Sequence, residues 1–131
     1  MSFFDLFKSR ESREKLSHLV DLVALAFADG KFQESEAAAI ASVMHRDGLT
    51  QADLERCIKN PHGIKFIPPE TDEKRLMYLK DMVLLMMCDG DIDEKEMAVC
   101  KMTATALGYK HEIIDALVLS VIADLKKELG L

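Results

Sequence analysis

The chain is short of cysteine, of positive charge and of long apolar runs, and each shortage closes off a class of function. Its three cysteines, Cys57, Cys88 and Cys100, make an odd count with no C-x-x-C pair. A disulfide framework is therefore excluded, and the pattern reads as reduced, buried thiols of a cytosolic protein. Lys and Arg number 17 against 23 Asp and Glu, giving a net charge of −6 and a pI near 5.2. Such a surface repels phosphates, which argues against nucleic acid and anionic membranes and favours cations or basic partners. The longest apolar runs, 22–28 and 82–88, are far short of the ~20 residues that span a bilayer. The first ten residues carry no signal-peptide pattern. Alternating strand patterns are missing throughout.

What is present is a soluble, globular composition, 49% hydrophobic and 31% charged in 131 residues. That length suits one compact domain with a real core. The chain also carries one stretch twice. Residues 19–36, LVDLVALAFADGKFQESE, match residues 79–96, LKDMVLLMMCDGDIDEKE. Asp21 pairs with Asp81, Val23 with Val83, Leu25 with Leu85, Asp29 with Asp89, Gly30 with Gly90, Glu34 with Glu94, and Glu36 with Glu96. A period of roughly sixty residues reads as a duplicated helical unit. The expectation is a single all-α domain over 1–131, a bundle of about six to seven helices. Repeat one covers about 10–60 and repeat two about 71–129.

The helices follow from apolar spacing and caps. Helix one runs from Arg10 to Asp29, apolar all round near its end and stopped by Gly30. Helix two runs from Gln33 to Arg46 with Gly48 beyond it. Thr50 opens helix three, and its spacing to Asp53 is that of a capping box. Asn60-Pro61 ends that helix. In the link 61–69, Ile64, Phe66 and Ile67 want burial. Thr71 caps helix four, which extends to Asp89. Helix five runs from Asp93 to Leu107. Helix six, from Lys110 or His111 to Leu129, carries the stripe Ile114, Leu117, Val118, Val121, Ile122, Leu125. Residues 1–9 hold Phe3, Phe4, Leu6 and Phe7, which read as a short packed element, a docking segment for a partner or a membrane-surface contact.

The repeated Asp-Gly turns hold the candidate site. Asp93 sits at an N-cap position and Glu96 can reach back to its backbone N–H, with Ile92 stapled on Met97. Gln33, Glu36, Phe32 and Ala37 are the weaker equivalents. Glu34 and Glu94 lie in first turns, where the helix dipole favours anions. Asp29 and Asp89 are different, because they fall in the last turn of an apolar helix where the dipole disfavours them. Each either accepts from N–H groups at the start of the following helix, makes a local Asx turn, or joins a carboxylate cluster, Asp29 with Glu36 and Asp89 with Glu96, that holds a cation. All-oxygen donors suit Mg²⁺ or Ca²⁺ rather than Zn²⁺. The run Asp89-x-Asp91-x-Asp93 is not an EF-hand: Glu94 stands where glycine is needed and Cys100 where a bidentate glutamate is needed.

Other chemistry is thin. His45-Arg46-Asp47 lacks the companions of a kinase loop. His18, His45, His62 and His111 show no ligand spacing and read as surface or cap residues. The eight methionines read as core fillers or, less simply, an adaptable docking groove. No nucleophile–base pair is legible, so the chain reads as non-enzymatic.

The doubled pattern, Ala28-Asp29-Gly30 through Glu36 and Cys88-Asp89-Gly90 through Glu96, resembles the TerB-like domain. That domain occurs in tellurite-resistance proteins and in a membrane-bound J-domain co-chaperone family. The resemblance spans about 16–125. It implies an all-α cytoplasmic module of two pseudo-symmetric repeats, acting in stress-response complexes linked to the membrane. It also implies divalent-metal binding by acidic residues, here Asp29, Glu36, Asp89 and Glu96, with Glu34 and Glu94 behind them. Gln33 departs from the acidic or hydroxyl cap expected there. The alternative is a protein-interaction scaffold without metal, in which these carboxylates serve as helix caps.

Overall fold

A computed structural model describes residues 9–131. The Phe-rich segment before Ser9 lies outside the described residues. Six α-helices follow in order: α1 Arg10–Ala26, α2 Glu34–Asp47, α3 Gln51–Lys59, α4 Asp72–Met87, α5 Glu94–Ala106 and α6 Ile113–Glu128. A single 3₁₀ turn, Pro61–Gly63, begins the link between α3 and α4. Every regular element among the described residues is helical. No described helix is long and apolar enough to cross a membrane.

Two helices make the centre. α1 packs on α2, α3, α4 and α5, while α4 packs on α1, α2, α5 and α6. The apolar sequence toward the end of each is the reason, since such a stretch has to be covered on most of its sides, with Ala24 and Leu84 left exposed. Leu19, Leu25, Leu79 and Val83 are each 0–2% exposed, with Leu22, Met82 and Met86 beside them. Buried, half-buried and exposed positions recur in nearly the same order along 19–48 and 79–108.

Local chemistry sets most helix boundaries as expected. Thr50 Oγ1 accepts from Asp53 N at 3.2 Å, and Asp53 Oδ2 accepts from Thr50 N at 2.8 Å. Thr71 Oγ1 accepts from Lys74 N at 3.2 Å and opens α4. Gly48 closes α2 with φ 71°, a left-handed conformation that a β-carbon would strain.

Five expectations need correction. Helices one and four stop at Ala26 and Met87, before Asp29 and Asp89. The chain there tightens into turns in which Ala28 N donates to Leu25 O, and Gly30 N to Phe27 O. Helix six begins only at Ile113, and its stripe is partial: Ile114 and Val121 are buried, but Leu125 is 48% exposed. In the link, Ile64 and Ile67 are half-buried while Phe66 stays exposed. Cys57 and Cys100 are buried, but Cys88, the capping residue of α4, is exposed. His18 is buried rather than a surface residue.

Candidate cation site at the paired turns

The two Asp-Gly turns are built alike. Asp29 Oδ1 accepts from Lys31 N at 2.9 Å, and Asp89 Oδ1 accepts from Asp91 N at 3.0 Å. Both are Asx turns, so part of the local explanation holds. Since both residues lie beyond the helix ends, the expected conflict with the last helical turn does not arise. Each Asx turn engages one carboxylate oxygen of its aspartate and leaves the other out of the turn.

The glutamates behave differently from one another. Glu36 is 2% exposed; its Oε1 accepts from Gln33 N at 3.1 Å, and its Oε2 is buried with no hydrogen-bond partner. Glu96 is 3% exposed, and its carboxylate has no hydrogen-bond partner among the described residues. The expected order of the caps holds for the N-cap side chains, Asp93 over Gln33, but is reversed for the glutamate that reaches back. Asp93 Oδ1 does cap α5, accepting from Lys95 N at 2.8 Å and Glu96 N at 3.2 Å. Glu96 does not reach back to Asp93 N, whereas Glu36 does reach back to Gln33 N. Of the expected staple residues, Phe32 and Ile92 are both 47% exposed, and Phe32 stacks on Phe27 with centroids 4.9 Å apart.

The carboxylates of the two turns act on one another. Burial pushes the Glu36 carboxyl up, the Gln33 N–H pulls it down, and the charges of Asp29 and Asp89 push it up again. Glu96 is pushed up to about 7 by burial first, then by Glu36, Asp29, Asp89 and Asp93. Asp89 acts on Glu36 and Asp29 acts on Glu96, so the coupling crosses between the repeats. Asp29, Glu36, Asp89 and Glu96 are thus electrostatically coupled across the two repeats. Cys88 stands beside them, its thiol pushed up by burial and by Glu36, Asp89 and Glu96, against a Ser35 hydrogen bond. Glu34 and Glu94 are exposed and are not among the charges acting on Glu36 or Glu96. No three His, Cys, Asp or Glu side chains among the described residues converge as a finished metal-ligating group.

A second polar assembly ties the repeats together, and sequence spacing gave no hint of it. Arg46 on α2 donates from Nη1 and Nη2 to the two oxygens of Asp81 on α4, at 2.9 and 2.8 Å. His18 Nε2 lies 2.9 Å from Asp81 Oδ2, and its ring stacks on Tyr78 at 3.9 Å. Burial pushes Asp81 up, but the His18 and Arg46 hydrogen bonds outweigh it and leave the carboxyl below its usual range. The one available signal was the matched pair Asp21 and Asp81, polar positions inside apolar helices.

Comparison with protein-family models, with curated proteins and with solved structures gives no match.

Proposed function

We propose that the chain is a non-enzymatic, TerB-like cation-binding module. In this reading Asp29, Glu36, Asp89 and Glu96 hold one divalent cation between the two repeats. The observation that carries it is Glu36 Oε2, a buried carboxylate oxygen with no hydrogen-bond partner, set among three other carboxylates. Leaving a buried acceptor unsatisfied costs about 1–3 kcal/mol, more for a charge, and a cation would remove that cost. The donors are oxygens, which favours Ca²⁺ or Mg²⁺ over Zn²⁺. The four groups do not converge without an ion, so the ion would have to gather them. Bound there, it would bridge the ends of α1 and α4 to the starts of α2 and α5. The resemblance to TerB-like domains supplies the cellular part of the reading: a cytoplasmic stress-response or tellurite-resistance setting, with protein partners in a membrane-linked complex.

Titration calorimetry with Ca²⁺, Mg²⁺, Mn²⁺ and Zn²⁺ tests this. The reading expects one site per chain for Ca²⁺ or Mg²⁺, lost in Asp29→Asn plus Asp89→Asn. An unchanged response in that double variant removes the cation role. The scaffold reading then stands, favoured by the two Asx turns and the Glu36 cap, which employ three of the four carboxylates without any ion.

A further inference from the structure

At the start of α1 the fold leaves an apolar groove open and a cation without a partner. The groove, about 490 Å³, lies between the first turns of α1 and residues 62–67 of the link. Leu16, Ile64 and Ile67 give it apolar walls, Leu16 buried and the two isoleucines half-buried. Arg13, His62 and Lys65 line it as well, and none of the three has a side-chain hydrogen bond or ion pair with a described residue. Arg13 Nε is the telling atom, because it is buried and has no hydrogen-bond partner. The carboxylates nearby are engaged elsewhere, Glu14 and Glu70 by Arg10, and Glu11 by Lys15 and Lys74. An unpaired cationic groove on a chain of net charge −6 calls for an occupant that is apolar and carries an acid.

The chain itself contains such a segment. Residues 1–8, MSFFDLFK, hold Phe3, Phe4, Leu6 and Phe7 with a single acid, Asp5, among them. They join the described chain at Ser9, one residue before α1. At 1.5 Å per residue, Arg13 lies about 6 Å along the helix from Ser9 and Leu16 about 10 Å. Extended chain gives Asp5 a reach of about 14 Å from Ser9, and Phe3 a reach of about 22 Å. The acid and every large apolar residue of the segment can therefore reach the groove, which has room for roughly two or three large side chains. The other large apolar groove, about 450 Å³ around Phe27 and Met44, does not compete. Phe27 lies about 27 Å from Ser9 along α1, beyond the reach of Phe3.

We propose that residues 1–8 fold back into this groove, with Asp5 on Arg13 Nε and the apolar side chains against Leu16, Ile64 and Ile67. The Asp5 carboxylate supplies the acceptor that the buried Arg13 Nε lacks, in a charge-assisted hydrogen bond. Phenylalanine and leucine side chains leave water against the two half-buried isoleucines. The walls are already in place to receive them. Ile67 N donates to Ser17 Oγ at 3.0 Å, and Arg10 Nη2 donates to Pro68 O at 2.9 Å, so the link is fixed to α1 on this side. The groove stands at the opposite end of α1 from Asp29, and the docking is independent of the cation reading.

The test is NMR of the whole chain, with phenylalanine rings and isoleucine methyls protonated in a deuterated background. Cross-relaxation is expected between the rings of Phe3, Phe4 or Phe7 and the methyls of Ile64 and Ile67. In a mixture of chains labelled only on the rings with chains labelled only on the methyls, those signals are expected to vanish, because the contact lies within one chain. The Arg13 Nε–H signal is expected to exchange slowly with water, and Asp5→Asn to speed that exchange roughly tenfold through the loss of one charged hydrogen bond. Arg13→Asp alone is expected to weaken the ring-to-methyl contacts, and Asp5→Arg added to it to restore them. Three results each overturn the proposal. They are no contact between these rings and these methyls, which leaves the groove to a separate partner; contacts that persist in the mixture, which seat a second copy's segment there; and an Arg13 exchange rate unmoved by Asp5→Asn.

Discussion

Arg46 grips Asp81 with both terminal nitrogens, at 2.9 and 2.8 Å, while its Nε donates to Asp47 at 3.0 Å. One side chain thereby fixes the end of α2 to the middle of α4, joining the first repeat to the second. Losing it leaves a carboxylate whose side chain is 9% exposed with only His18 for company. Arg46→Ala is expected to cost about 2 kcal/mol in urea unfolding, below the 3–5 of a fully buried pair because the Arg46 side chain is 39% exposed. Arg46→Lys should recover only part of the loss, since one ammonium cannot reproduce the fork. A loss below about 0.5 kcal/mol for Arg46→Ala would place this contact among ordinary surface pairs.

The central pair of helices predicts a sharp contrast among leucines. Leu19 and Leu79 are 0% exposed, and alanine at either should cost about 3–5 kcal/mol. Leu84, on the same helix as Leu79 but 44% exposed, should cost less than about 1 kcal/mol. Equal costs at Leu79 and Leu84 would contradict the packing.

Thiol chemistry gives a count. Cys88 is exposed, whereas Cys57 and Cys100 are buried and burial pushes Cys100 up to about 12. An Ellman titration of the native chain should find one reactive thiol, and in denaturant all three. The native reaction should be slow, because burial and the neighbouring carboxylates raise the Cys88 thiol. Two or three fast thiols in the native chain would mean that the core opens readily.

Much of the fold was legible before the structure. Thr50, Asp53, Thr71 and Gly48 mark helix ends through their own side chains or backbone, so local spacing finds them. The ends at Ala26 and Met87 escaped, because what stops those helices is a hydrogen-bonded turn that apolar periodicity does not register. The coupling of Asp29 and Asp89 to Glu36 and Glu96 across the repeats was not legible, because it depends on how α1 and α4 pack, and no spacing within a repeat encodes that. His18, Arg46 and Asp81 were missed for the same reason: they lie on three helices, and each is ordinary in its own neighbourhood.

Three raised carboxyls, Asp21, Glu36 and Glu96, make stability depend on pH. Asp21 and Glu96 keep their protons up to about 7 in the folded chain and release them near 4 when unfolded. The folded state therefore holds more protons in that interval, and stability should fall as the pH rises through it. Below the interval their contribution is fully present; above it, it is lost. Urea unfolding at a series of pH values should show this decline, flattened in Glu96→Gln and in Asp21→Asn. A rise in stability over the same interval would contradict the assignment.

Most of the account turns on whether the paired turns share one ion. The direct measurement is the titration of the Glu96 carboxyl by carbon NMR, without and with saturating Ca²⁺. The account predicts a midpoint of about 7 without the ion and one below the ordinary glutamate value of about 4.3 with it. A midpoint that stays in place when Ca²⁺ is added would contradict it.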